Sequence, residues 1–350
     1  MKARSLRRAV AVCLVAYGCA SRDTEPEIRS RVETIMGTFV EIKAVVADGS
    51  AEDVDRAVTA AFDAVRRVDS LMSTYKEDSE LSRVNRRADE EPVQISPETT
   101  EVVAKAIELS KKSGGAFDIT VMPLLEIWGF AKGRDRSVPS QTEIDEKLRL
   151  VGYDLVELDP VKREIKLKTE GARIDLGGIA KGYAVDAAVR SLVADGVDSA
   201  IVNAGGDMYC LGDKTPGQGW RIGVRNPVVQ DVLFGYVRIA DKAIATSGDY
   251  ENYFIVDGVR YSHILDPRTG RPSAGGPHSV TVLAETCADA DALATAVFVL
   301  GPEKGVGLLE GIPGAEGFVV TGDETGLEIT ATRGWRKAAS WEPLEEGPAR

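Results

Sequence analysis

Histidine is nearly absent from this sequence, with two in 350 residues. Its four cysteines, Cys13, Cys19, Cys210 and Cys287, are scattered. Neither supply supports a zinc-type cluster. Positive charge is also scarce: 43 Lys and Arg stand against 55 Asp and Glu, a net charge of −12. That balance argues against nucleic acid or an anionic membrane surface as the main partner. The apolar run at residues 9–17 is too short to cross a bilayer as a stable helix, and no short repeat runs through the chain. What remains, 43% hydrophobic and 28% charged residues, describes a globular protein large enough for a full core, in one large domain or two lobes.

The N-terminus carries an address. Lys2, Arg4, Arg7 and Arg8 precede the apolar run and Gly18-Cys19 follows it. A charged segment, a short apolar segment and a small residue before cysteine suit an exported lipoprotein. The expectation is a signal peptide over 1–18, a lipid anchor on Cys19 and a polar tether over 19–30; a simply cleaved signal peptide is the alternative. Cys210 and Cys287 either pair in an oxidising compartment or remain buried thiols.

Farther along, residues 31–46 alternate apolar and polar and read as a strand, with a close backbone approach at Gly37. Ser50 with Asp53 forms a capping box opening a helix whose inner face is Val54, Val58, Ala61, Phe62, Val65 and Val68. Ser96-Pro97 begins another helix, which Gly114 stops. Residues 131–145 show no period and read as a surface loop. The Asp257-Gly258 pair between apolar runs predicts a two-residue hairpin. Strands that meet mostly by hairpins, with helices inserted, give an α+β class.

Several stretches carry chemistry. Ile174-Asp175-Leu176-Gly177-Gly178-Ile179-Ala180-Lys181-Gly182 is an apolar run that ends in a carboxylate, turns on two glycines and restarts as a helix. Ala180, Ala184, Ala188 and Leu192 recur every four residues, a stripe suited to close packing against a sheet. Backbone amides at such a helix start favour an anion, and Lys181 adds a positive charge. No Ser or Thr follows the lysine, so this is not a P-loop, and the glycine spacing is not that of a Rossmann turn. The bland alternative is a strand-to-helix turn with a solvated lysine. Asp291 and Thr295 lie four apart on a predicted helix with Asp289 as its cap. They offer two oxygens on one face to a magnesium ion that also takes phosphate oxygens and water, or else form a solvated face. His263 ends a predicted strand and is either a general base or a hydrogen-bonded structural residue. Thr246 to Glu251 reads as a hydroxyl-rich loop.

Taken in order, Met36-Gly37-Thr38, the stretch from Asp69 to Tyr75, Gly115-Ala116-Phe117-Asp118, Asp175 to Asp186, Asn203 to Asp207, Thr246 to Tyr250, Ser262 to Pro267 and Ala290 to Ala296 resemble the ApbE family of FAD:protein FMN transferases. The resemblance covers about residues 31–335 and leaves 336–350 as a polar tail. It implies a two-lobed, T-fold-related α+β domain of mostly antiparallel sheets, with FAD, the substrate, in the groove between lobes. By the same resemblance Met36, Tyr75, Ala116, Phe117, Asp118, Asp175, Lys181 and Ile264 contact FAD. Gly178 through its carbonyl, Asp291 and Thr295 hold Mg2+, and His263 lies near the acceptor, with His263, Lys181 and Asp291 as the catalytic set. The implied reaction moves FMN onto a Ser or Thr hydroxyl of an acceptor protein, a subunit of a membrane redox complex, and releases AMP. The implied location is the periplasmic side of the inner membrane. A magnesium-dependent FAD pyrophosphatase and a non-catalytic FAD-binding lipoprotein are the competing readings.

Overall fold

The computed structural model describes residues 26–344, apart from 48, 230–231, 274–276 and 324–325. The expected signal peptide and the Cys19 anchor lie outside the described residues. Eight strands form one sheet whose spatial order follows the chain: Ile28–Ile35, Thr38–Val45, Ala200–Ala204, Asp207–Leu211, Lys242–Gly248, Ser279–Ala284, Glu316–Asp323 and Gly326–Ala331. Each neighbouring pair is antiparallel. Apart from the segment after Ala331, the remaining described elements are inserted between strands that are already neighbours.

Period-two alternation divides this sheet between two cores. Val40, Ile42, Ala44, Val202, Ala243, Ala245, Val280, Val282 and Val319 face the larger core, which the helices Ala51–Met72, Ala180–Ala194 and Cys287–Leu300 cover. Val45, Cys210, Ile244, Leu283, Phe318 and Val320 face the other way, onto a three-stranded sheet containing Trp220–Arg225 and Leu233–Ile239. Cys210 and Cys287 therefore belong to different cores, and both are buried free thiols. A third, smaller core surrounds Trp128, whose indole Nε1–H donates to the Gly270 carbonyl at 2.8 Å. Mixed helix and antiparallel sheet agree with the α+β class.

Several local expectations change. Residues 31–46 are a hairpin: Ile28–Ile35 turns at Met36-Gly37 and returns as Thr38–Val45. Met36 and Gly37 have φ of 56° and 73°, and a two-residue turn preserves the alternation, so the pattern alone conceals the reversal. Nothing lies within 4 Å of a β-carbon placed on Gly37, so this glycine serves the turn and no close approach. Within 131–145, Ser140 and Glu143 form a capping box that starts the helix Gln141–Leu148, which buries Ile144. Thr246 and Ser247 belong to a strand. Thr286, rather than Asp289, caps the helix Cys287–Leu300. Residues 336–344 of the expected polar tail are structured: Trp335–Ala338 is helical, Glu342–Pro343 pairs with Leu233–Ile239, and Trp341 packs with Phe234, Phe318 and Trp335.

The helices Ala180–Ala194 and Cys287–Leu300 make the contact that matters for the site. The latter buries eleven of its fourteen residues, so it has no solvent face. Gly182 lies against the Cys287 carbonyl, where a β-carbon would collide with backbone. The Asp186 carboxylate accepts the Cys287 and Ala288 amides at 2.7 and 2.9 Å. In return, Asp291 accepts the Gly182 amide at 3.1 Å. Each helix thus supplies the carboxylate that the other's first turn needs.

Asp186→Ala would leave two buried amides unpaired and should cost about 2–4 kcal/mol. Asp186→Asn, which keeps one acceptor, should cost less, as read from urea unfolding midpoints. A loss below about 0.5 kcal/mol for the alanine variant would mean that the amides have another partner.

Candidate functional site

A cavity of about 300 Å³, open to solvent, lies between the helical body and the Trp128 unit. Tyr75, Ala116, Phe117, Asp118, Asp175, Gly178, Lys181, His263, Ile264, Asp291 and Thr295 all line it. These residues come from widely separated parts of the chain, and the fold brings them to one cavity. Met36 is the exception. It occupies the hairpin turn with its side chain packed on the larger core, and it is not part of the cavity lining.

The two-helix contact fixes the polar end. Lys181 Nζ lies 2.7 Å from Asp207 Oδ2 and 3.3 Å from Asp291 Oδ1. Burial alone would lower this ammonium, but Asp207 and Asp291 outweigh it and hold the pKa well above its usual value. Asp207 is buried, and its Oδ2 meets only the lysine charge, without hydrogen-bond alignment. Burial, then the neighbouring Asp291, push Asp207 upward from the ordinary carboxylate range.

Gly178 faces Phe117 and Thr295: a β-carbon placed there would be 3.2 Å from Phe117 Cε2 and 3.5 Å from Thr295 Oγ1. Glycine at this point lets the main chain reach the Asp291–Thr295 helix face. Thr295 Oγ1 is also 3.4 Å from Ser247 Oγ. Not all of the turn's amides are free for an anion. Gly177 N–H donates to Asp175, Ile179 and Ala180 donate to the Leu176 carbonyl, and Gly182 donates to Asp291. The cation at this wall is therefore chiefly Lys181.

Asp118 turns inward. Its carboxylate accepts Thr120 N–H, Thr120 Oγ1–H and Tyr153 N–H, all between 2.6 and 2.9 Å. Burial raises its pKa. Its side chain organises the cavity wall, leaving backbone and neighbours to meet a ligand. Asp175 accepts Gly177 N–H at 2.8 Å and stands 3.4 Å from Thr74 Oγ1; burial raises it too. Tyr75 is 58% exposed at the mouth, available to a flat ring.

His263 has a defined tautomer. Its Nδ1 is 3.1 Å from the Asn252 carbonyl, which also accepts the His263 backbone N–H at 3.0 Å. A carbonyl only accepts, so Nδ1 carries the proton and Nε2 keeps the lone pair. Burial lowers the ring's pKa to about 4, with Lys181 and Arg136 adding to the shift against the Asn252 bond. The ring is thus a neutral acceptor at physiological pH.

Sequence reasoning missed Asp207 and Asn252 as site residues. The Asn203–Asp207 segment was recognisable as a motif, but its aspartate meets Lys181 only through the Gly205-Gly206 turn, whose φ values are 63° and 104°. Asn252 acts through its main-chain carbonyl, which no side-chain pattern reports.

A cavity whose polar end combines a half-buried lysine, two aspartates and an all-oxygen face suits a phosphorylated ligand with a hard cation. Comparison with known proteins makes the class specific. The ApbE family model matches residues 36–319, and the chain belongs to that family. It is 38% identical over 312 residues to the FAD:protein FMN transferase of Vibrio cholerae, covering 86% of this chain and 89% of that one. It is 33% identical over 336 residues to the enzyme of the same name from Treponema pallidum, covering 91% of each. Among solved structures, the flavin transferase ApbE from Vibrio cholerae superposes with a TM-score of 0.79 at 33% identity, over 89% of this chain and 99% of that one. The ApbE protein from Thermotoga maritima gives 0.80 at 36% identity, over 89% and 99%.

The unfolded chain takes a proton on histidine near pH 6.5, whereas the folded His263 takes one only near pH 4. This group therefore destabilises the fold as pH falls through that window. In an NMR titration the His263 ring should show a midpoint of about 4; a midpoint at the ordinary histidine value would mean that the ring is solvated.

Proposed function

We propose that the cavity binds FAD and that the protein, with Mg2+, transfers the FMN half onto a Ser or Thr hydroxyl of an acceptor protein, releasing AMP. The observation that carries this reading is the convergence of Lys181, Asp291, Thr295 and Gly178 on one wall, with the bare nitrogen of His263 beside the same cavity.

Charge and donor type both favour a bound cation here. Asp207 and Asp291 together outweigh Lys181, and a pyrophosphate would add two further negative charges. Asp291, Thr295 and the Gly178 main chain supply only oxygen, and no group of three His, Cys, Asp or Glu lies together among the described residues. Such a partial set fits an ion that keeps water and phosphate oxygens. Bound there, Mg2+ would neutralise the pyrophosphate and stabilise the charge developing on AMP.

The remaining work falls to the chain. Lys181, held protonated by its two aspartates, places fixed positive charge at the phosphate end without reorganising. Phe117 and Ile264 exclude water from the wall, and Tyr75 offers a stacking face at the mouth. The acceptor hydroxyl forms a bond to the FMN phosphorus as the bond to the bridging oxygen breaks. Nε2 of His263 receives the hydroxyl proton, and AMP leaves with the bridging oxygen. The N-terminal address supports an exported, Cys19-anchored enzyme on the periplasmic side of the inner membrane, where a subunit of a membrane redox complex would be within reach.

Asp291→Asn keeps an acceptor for the Gly182 amide while removing charge. It should lower magnesium-dependent transfer by about 10²–10³-fold with the fold intact. His263→Ala should reduce covalent flavin on the acceptor while FAD binding persists. The assay incubates protein, FAD, Mg2+ and acceptor, then reads flavin fluorescence on the denatured acceptor alongside free FMN and AMP. Full transfer by the Asp291 variant would sink the metal assignment, and free FMN with unlabelled acceptor would identify a hydrolase.

A further inference from the structure

Residues 131–136 run along the cavity mouth from one side to the other. Lys132 Nζ donates to the Tyr75 carbonyl at 2.8 Å. At the far side Arg136 donates to Asn252 Oδ1 at 2.6 Å and lies over the Phe130 ring. Among the described residues, Lys132, Arg134 and Arg136 have only neutral partners or none, although Asp135 shares their loop. On a chain of net charge −12, this rim is a local reversal of sign.

A hairpin rises from the same rim. Tyr253–Val256 turns at Asp257-Gly258 and returns as Val259–Ser262, directly into His263. Phe254 and Tyr261 stack at 5.3 Å and anchor its inner face on Trp128. Alternation sends Ile255 to the outer face, while Val256 and Val259 extend beyond the aromatic anchor. These three are 59%, 37% and 52% exposed. Single exposed aliphatics are ordinary, but three crown one turn here, about 13 Å of strand from His263. Among the described residues the hairpin is a sheet of two strands, with Arg136 on the Tyr253 carbonyl, and its outer edge can pair with extended backbone.

We propose that the cationic rim and the hairpin crown form the docking surface for the acceptor protein, engaging an extended segment in which acidic and aliphatic side chains flank the modified Ser or Thr. This rests on the transferase reading above. With FAD filling the cavity, an acceptor meets only the mouth, where these basic and apolar groups stand exposed beside the acidic Glu251. Acidic side chains answer Arg134 and its neighbours, aliphatic ones cover Ile255 and Val259, and the hydroxyl between them reaches His263. Continuity with the cavity and complementary charge both select this occupant.

The test uses FAD-loaded protein with Mg2+ and two synthetic 13-residue peptides, each with one central Thr. One carries Asp, Glu, Leu and Ile flanks; the other has Lys and Ser at the same positions. Anisotropy of a dye on the peptide reads binding, and peptide mass reads flavin transfer. The acidic–aliphatic peptide should bind at least about tenfold more tightly. Arg134→Glu and the double variant Ile255→Ser, Val259→Ser should each remove most of that difference, with FAD affinity unchanged. Equal binding, or no binding of either peptide, overturns the proposal. So does weakened FAD affinity in these variants, which would assign the rim to the nucleotide. Selective binding without flavin transfer would support the docking surface and count against the transferase reading instead.

Discussion

The first turns of the helices Ala180–Ala194 and Cys287–Leu300 satisfy each other. Asp186 takes two amides at the start of one, and Asp291 takes the Gly182 amide at the start of the other. Helix starts are normally capped by a neighbour in sequence, which fixes nothing beyond the local chain. Here, beside the local Thr286 cap, carboxylates about a hundred residues away take further first-turn amides, so closing either end fixes the position of both helices. Gly182 lets the axes approach until backbone meets backbone. The Lys181–Asp291 geometry at the polar end of the cavity follows from that crossing.

The same contact makes Asp291 serve two masters. One oxygen accepts Gly182 N–H while both lie 3.3 Å from Lys181 Nζ, and the side chain still lines the cavity. A buried aspartate pair around one lysine is an expensive arrangement, because desolvation opposes every charge in it. Its retention at a cavity wall fits a site where charge must be fixed in advance of the ligand. The surrounding alanines and the all-buried Cys287–Leu300 helix keep that wall close-packed and hold the charges in place.

Around this rigid centre the accessory parts are insertions. The sheet adds strands in chain order, and several interruptions deliver components: the Asp175–Lys181 turn before the third strand, the turn that leads into Asp207 at the start of the fourth, the hairpin and His263 between the fifth and sixth, and Asp291 with Thr295 between the sixth and seventh. Such a design lets the mouth vary while the sheet and helix pair stay constant. The rim loop and the hairpin crown differ from the wall in just this respect, being exposed.

Much of the fold was legible in local pattern. The capping box at Ser50, the Ser96-Pro97 start, the Asp257-Gly258 turn and the alternating strands all act over a few residues, and sequence spacing reports them directly. The pairing of Asp291 with Thr295 was legible for the same reason, since one helical turn fixes both. Legibility failed where a pattern was ambiguous or short: a tight turn at Met36-Gly37 preserves alternation, and the helix Gln141–Leu148 buries little besides Ile144. By itself, then, the sequence determined most of the elements, the class and the family resemblance, because those depend on neighbours along the chain. Only the tertiary structure decided that Asp207 meets Lys181, that Asp186 caps a distant helix, that Asp118 turns inward and that Asn252 sets the His263 tautomer. Those facts depend on where strands and helices cross, and crossings are set by packing among residues far apart in the chain.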